Sequence, residues 1–189
     1  MRRPRLLMIA YTCRPGRGSE GGIGWNRALQ AGRFVDVRVL CEGRECEAEI
    51  RSHIDTYGQI PGVSFVFVPH SKLQTKLIKM PGCYYLTYYL WHRLAFKVAQ
   101  QLHKVHHFDL AHQANMTGYR EPGLLWRLPI PLVWGPVGGT QNFPWQFLSV
   151  LSWRDAAVES VRNVVNRLQL KMSPRVRRAA RKATGLRVA

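Results

Sequence analysis

The stretch that decides the fold is Leu6, Leu7, Met8, Ile9, Ala10, Tyr11, followed after Thr12 and Cys13 by Arg14-Pro15-Gly16-Arg17-Gly18-Ser19-Glu20-Gly21-Gly22-Ile23-Gly24-Trp25. A continuous apolar run of six is the pattern of a strand buried on both faces. The glycine-rich segment reads as a tight turn, and Trp25-Asn26-Arg27-Ala28-Leu29 as the helix it leads into. Strand, glycine turn, helix is the layout of a phosphate or sugar-nucleotide cradle. Glycine lets the backbone approach a ligand, and the first N–H groups of a helix lack internal partners and favour an anion.

Outward from that unit, the pattern repeats. Residues 35–41 alternate apolar and polar side chains as a second strand does, residues 45–57 read as a helix, and residues 63–68 form a β-branched and aromatic third strand. Residues 109–112 predict a fourth strand, 119–128 a helix, and 131–134 a fifth strand ending in Gly135-Pro136-Val137-Gly138-Gly139. Beyond Pro144 the pattern is helical to about Ala183, and residues 185–189 begin one more strand. Alternation of this kind predicts an α/β fold: a single doubly wound Rossmann-like domain with a mainly parallel sheet, spanning residues 1–189.

Residues 71–108 depart from the alternation. After a Pro81-Gly82 break, Tyr84, Tyr85, Tyr88, Trp91, Leu94 and Phe96 recur at helical spacing beside Lys72, Lys76, Lys79, Arg93 and Lys97. The uncharged run is about half the roughly 20 residues a membrane span needs. Two readings stay open: a core helix with a wide apolar face, or a helix lying at an anionic membrane surface.

The chain carries 28 Lys and Arg against 11 Asp and Glu, a formal charge of +17. Such a balance favours polyanionic partners without bearing on fold. It is concentrated at the end: nothing acidic follows Glu159, and the tail has Arg175, Arg177, Arg178, Arg181 and Lys182. A nucleic-acid arm is one reading, but no aromatic side chain follows Trp153 to stack on bases, so nucleic acid is not the expected partner. The four cysteines form no C-x-x-C pair and no secretory signal precedes them, which predicts a reduced, cytoplasmic protein, with a peripheral place on the inner membrane face left open.

Gly16, Gly18 and Gly21 spell G-x-G-x-x-G, with Asp36 about 20 residues on, as a dinucleotide fingerprint asks. The glycines stand four residues too far from the strand, and Asp36 falls at the start of strand two, with Glu42 at its end as a substitute. Gly22 and Ile23 occupy the places where a P-loop needs Lys and Ser or Thr, which excludes a nucleotide triphosphatase of that type. No G-x-S-x-G elbow and no H-E-x-x-H motif is present. His103, His106 and His107 lack carboxylates or cysteines at ligand spacing and read as a solvated helix end, so no metal site is expected.

Arg17-Gly18-Ser19-Glu20-Gly21-Gly22-Ile23-Gly24-Trp25 resembles the R-G-S-E-P-G-V-G-W loop of a subgroup of family-4-like glycosyltransferases. Phe108-Asp109-Leu110-Ala111-His112 is similar to their F-D-L-V-H strand, and Trp134-Gly135-Pro136-Val137-Gly138-Gly139 to their W-G-P-V-G-G stretch. Three stretches in the same order cover most of the chain. The resemblance implies the N-terminal, acceptor-side domain of a two-domain GT-B enzyme, normally retaining, that moves a sugar from a nucleotide-sugar donor to a glycan or lipid-linked acceptor without a metal or other cofactor. It implies donor or acceptor contacts at Gly18, Ser19, Gly22, Gly138 and Gly139, and candidate catalytic roles for Glu20 and His112. Glu20 has a second reading as a helix cap, and His112 as a buried, hydrogen-bonded side chain. The sequence departs from the pattern in having Gly21 for its proline and Gly135-Pro136-Val137-Gly138-Gly139 where many members place a histidine. The donor-binding half of the resembled enzymes lies beyond Ala189, so this chain is expected to be inactive alone.

Overall fold

Strand β1 (Arg5–Ala10) sends its side chains alternately to two different cores. Leu6, Met8 and Ala10 pack with Trp25 and Ala28 of helix α1 (Ser19–Gly32) and with Cys46 and Ile50 of helix α2 (Glu45–Tyr57). Leu7, Ile9 and Tyr11 pack on the other face with Tyr88, Trp91 and Phe96. A strand with helices on both faces has no polar side to present, which is why its sequence is an unbroken apolar run. Each such buried Leu or Ile contributes about 1.5–3 kcal/mol.

The computed structural model describes residues 2–188. Strands β2 (Asp36–Glu42) and β3 (Val63–Val68) follow in sequence, then helices α3 (Lys72–Leu77) and α4 (Tyr84–His106), strands β4 (Leu110–Asn115) and β5 (Leu132–Val137), helices α5 (Trp153–Met172) and α6 (Pro174–Lys182), and strand β6 (Gly185–Val188). The sheet order is β3-β2-β1-β4-β5-β6 and every pairing is parallel. This is the expected doubly wound α/β fold. Its order reverses between β1 and β4, and in such sheets ligands bind outside the carboxyl ends of the strands at that reversal.

Helix α4 resolves one open reading. Tyr88 and Trp91 are buried, and the Trp91 indole N–H donates to the Val68 carbonyl at 2.9 Å, so the middle of the aromatic stretch packs in the core, while its first turn, Tyr84 to Leu86, and Arg93, Lys97, Lys104 and Val105 are exposed. Among the described residues no helix is long and apolar enough to cross a membrane.

Two elements differ from expectation. The segment 119–128 is a turn and irregular loop apart from one 3₁₀ turn, Leu125–Arg127. Pro122 and Gly123, at φ 62°, interrupt it, and Tyr119 is drawn into the core by an N–H bond to the Gly138 carbonyl at 3.2 Å. Helix α1 begins at Ser19 rather than Trp25, so most of the glycine segment is helix.

Candidate functional site

Glycines at 22 and 24 belong to a helix because the backbone of the neighbouring loop occupies the space a side chain would need. A Cβ on Gly22 would stand 2.2 Å from the Arg17 carbonyl oxygen, and one on Gly24 2.3 Å from the Thr12 carbonyl oxygen. Their absence lets α1 press against the exit of β1. Arg14 N–H closes the loop onto the helix through the Gly21 carbonyl at 3.1 Å. Below the loop, Arg14 and Arg17 both bind Glu49 of α2, and Arg14 also binds Glu45. These guanidinium hydrogen bonds, Arg14 first, pull the Glu49 carboxyl down to about 2.

The carboxyl ends of β1 and β4 are knotted by Asn115. Its amide donates to the Thr12 carbonyl at 2.6 Å and to the Glu20 carbonyl at 2.8 Å. Glu20 in turn accepts from the Thr117 N–H at 3.0 Å and the Thr117 hydroxyl at 2.5 Å. From Thr117 the contact passes to β5: the Gly138 N–H donates to the Thr117 carbonyl at 2.7 Å, and Gly118 and Gly138 form a parallel bridge. The loops leaving β1, β4 and β5 therefore make one hydrogen-bonded layer over the reversal of strand order.

That layer is creviced. Gly18, Ser19 and Gly22 line a depression of about 490 Å³ together with Pro136, Arg17 and Arg27. A smaller one of about 290 Å³ lies across the helix terminus, between Thr12, Arg14 and Glu20. No side chain caps the start of α1, where Gly18 is the N-cap. Ser19 takes φ 54°, a left-handed conformation uncommon outside glycine. The first turn thus presents backbone donors and a hydroxyl group beside two guanidinium groups, an arrangement suited to an anion such as phosphate. Another hollow, of about 650 Å³, lies between this loop and α2, and no residue of β4 or β5 lines it.

Of the residues expected from sequence, Gly18, Ser19 and Gly22 share the depression, and Gly138 and Gly139 stand at the exit of β5, Gly139 with φ 75°. The Gly22 N–H is drawn into the helix by the Gly18 carbonyl at 3.4 Å, so what Gly22 offers is space rather than a donor. Glu20 does not cap α1; half-buried, it braces the β4 exit through Thr117. His112 is buried within β4, paired with Met8 and Val133, and its Nε2 donates to the Gly135 carbonyl at 2.9 Å, the buried and hydrogen-bonded of its two readings.

The dinucleotide pattern is not assembled. Asp36 opens β2, at the other end of the sheet from the glycines, 3.7 Å from Arg3. Glu42 is buried and accepts the N–H groups of Arg44 and Cys46 at 2.8 Å each, which anchors the start of α2. Among the described residues no three His, Cys, Asp or Glu side chains converge as a metal site would require.

Sequence reasoning missed Thr12, Asn115 and Thr117. The signal available for them is a polar side chain at the carboxyl end of an apolar strand, the position where α/β sheets place their working groups. It also missed a pocket of about 190 Å³ at the ends of β1, β2 and β3, where the Tyr11 hydroxyl meets His70 Nε2 at 3.0 Å and Tyr84 closes one side. Burial lowers the His70 pKa below its ordinary 6.5.

Neither protein-family models nor curated protein sequences match this chain.

Proposed function

We propose that this chain is the acceptor-side domain of a GT-B glycosyltransferase, acting with a separate donor-binding domain to move a sugar from a nucleotide-sugar donor to a glycan or lipid-linked acceptor. One observation carries the reading. The three stretches that resemble this enzyme class lie far apart in sequence, yet Gly18, Ser19 and Pro136 line one depression and Asn115 and Thr117, just past the resembling Phe108-to-His112 stretch, brace its helix.

In this reading the first turn of α1 faces the donor diphosphate. Glycosyl transfer develops negative charge on the leaving phosphate, and fixed N–H dipoles with Arg17 and Arg27 nearby stabilise charge appearing there. Glu20 and Thr117 hold the loops in place, and Gly138 and Gly139 leave room for the sugar or acceptor to approach. The acceptor enters along the ends of β1 to β3, past Tyr11 and His70.

The test is a titration followed by amide chemical shifts, with a panel of nucleotide sugars and a polyprenyl-diphosphate glycan as probes. Shifts at Ser19, Glu20 and Gly138, with transfer only after a donor-binding domain is added, are expected. Saturating probes that leave these amides unmoved overturn the site. Transfer by the chain alone overturns its dependence on a second domain.

A further inference from the structure

Helix α5 is attached to the domain by the wrong side. A surface helix ordinarily buries an apolar stripe and wets its polar face. The residues α5 buries fully are Asn163 and Asn166, with Leu170 half-buried against the core beside them. Asn163 exchanges two hydrogen bonds with the backbone of Phe143, at 2.7 and 2.9 Å, and Asn166 accepts from Tyr119 and Arg120. On the far side Val158, Val161, Val165, Leu168 and Met172 follow one another at spacings of three and four, which places them on one face. All five are exposed, from 39% at Val165 to 73% at Met172.

The stripe continues past the helix. Trp153 at its start is 77% exposed, and the preceding 3₁₀ turn, Trp145–Val150, exposes Trp145, Phe147 and Val150. An apolar band running about 21 Å along the helix, from Val158 to Met172, is a contact surface rather than scattered exposure.

Charge selects what covers it. Arg154, Arg162, Arg167 and Lys171 flank the band, and Asp155 and Glu159 are the only acids on the helix, Glu159 being paired with Arg162 at 3.2 Å. Helix α6 adds exposed Arg177, Arg178, Arg181 and Lys182. A second copy of the chain would set these cations against themselves, each copy carrying +17. An anionic lipid surface supplies both what the band lacks: apolar depth for the valines and leucine, and counter-charge for the basic flanks. Tryptophan is at home at that boundary.

We infer that α5 and the turn before it dock this protein on an anionic lipid surface, the helix lying in the headgroup plane with the Val158–Met172 band immersed. The docking is a binding property and stands without the sugar-transfer reading. Its surface is α5, not the aromatic α4, whose Tyr88, Trp91 and Phe96 rings belong to the core.

The test is sedimentation of the full chain with vesicles of phosphatidylcholine and phosphatidylglycerol at low salt, set against vesicles of phosphatidylcholine alone. Binding to the anionic vesicles, roughly tenfold weaker to neutral ones, is expected. The double variant Val161→Ser/Leu168→Ser touches only exposed side chains and lowers anionic binding by about tenfold while leaving the melting temperature unchanged. A wild-type chain that stays in the supernatant overturns the inference. So does a double variant that binds as well as wild type, which would assign the binding to the basic tail alone. Sedimentation of wild type as a dimer that the double variant dissolves would give the band to a second copy instead. Loss of vesicle binding leaves the amide-shift test of sugar transfer untouched, so the two readings fail separately.

Discussion

The Glu20 carboxylate takes two hydrogen bonds from Thr117, one from its N–H at 3.0 Å and one from its hydroxyl at 2.5 Å, across 97 residues of sequence. This contact closes the layer over the strand reversal. Hydrogen bonds to a charged acceptor contribute about 1.5–3 kcal/mol, so Glu20→Ala is expected to lower unfolding stability by about 2 kcal/mol in urea titrations. Thr117→Val removes the hydroxyl alone and should cost about half as much. The double variant should cost less than the two together, by about 1 kcal/mol, because the pair shares the lost bond. Strict additivity would show that the hydroxyl bond contributes nothing in solution.

Gly24→Ala tests how closely α1 meets the exit of β1. The new Cβ would sit 2.3 Å from the Thr12 carbonyl oxygen, an atom already held by the Asn115 amide, so neither side can give way cheaply. Overpacking of this kind costs about 3 kcal/mol. Gly138→Ala is the contrast, since its nearest atoms are 3.9 Å from the added carbon and its effect on stability should stay within about 0.5 kcal/mol. Thermal melts of the two variants compare them directly; similar melting points would refute the close approach.

The strands were legible where burial leaves a local pattern. β1, β2, β3 and the helix Glu45–Tyr57 each follow from periodicity alone, because each buries apolar side chains in register with its own period. The site was harder to see, since its geometry is fixed by long-range partners. Gln113 and Asn115 are polar and end the apolar look of β4, yet both are buried, and the Asn115 amide nitrogen is held by the Thr12 and Glu20 carbonyls. The glycines of α1 look like a turn because low helix propensity is a local fact, whereas the reason for them, the carbonyls of Arg17 and Thr12, lies in the fold. Helix 119–128 was expected from apolar spacing and is overridden by Pro122, Gly123 and the Gly118–Gly138 bridge. The polar attachment of α5 had no local signature, because asparagines inside a helical pattern read as its wet side.

Acid should loosen the glycine loop before it unfolds the sheet. The Glu49 carboxyl sits at about 2 in the native state against an ordinary 4.5, held down by Arg14 and Arg17. The unfolded chain therefore takes up the proton first, and the stabilisation is present above about 4.5 and lost as pH falls from there toward 2. Glu49→Gln abolishes the titration. Its urea midpoint should lie below wild type at pH 6 and converge with it near pH 2.5; parallel curves across that window would remove the ion pairs from any role in stability.

Asn163→Ala is the sharpest probe of how α5 is held. Both backbone groups of Phe143 lose their partner when the amide is removed, and a buried N–H or C=O left unpaired costs about 1–3 kcal/mol. Of the apolar side chains on the helix, Leu170 packs against the core while Val158, Val161, Val164 and Val165 are exposed, so little apolar contact is left to compensate. The expected result is regional: amide exchange of α5 and of residues 143–150 rises by about tenfold or more, while β1 and β4 keep wild-type protection, since their core does not include the asparagine. Protection lost evenly over the whole sheet would show that α5 is part of one cooperative unit with the core. In the regional case anionic vesicles should restore the protection of α5 in the variant, because a helix loosened from the domain still has its apolar band to bury.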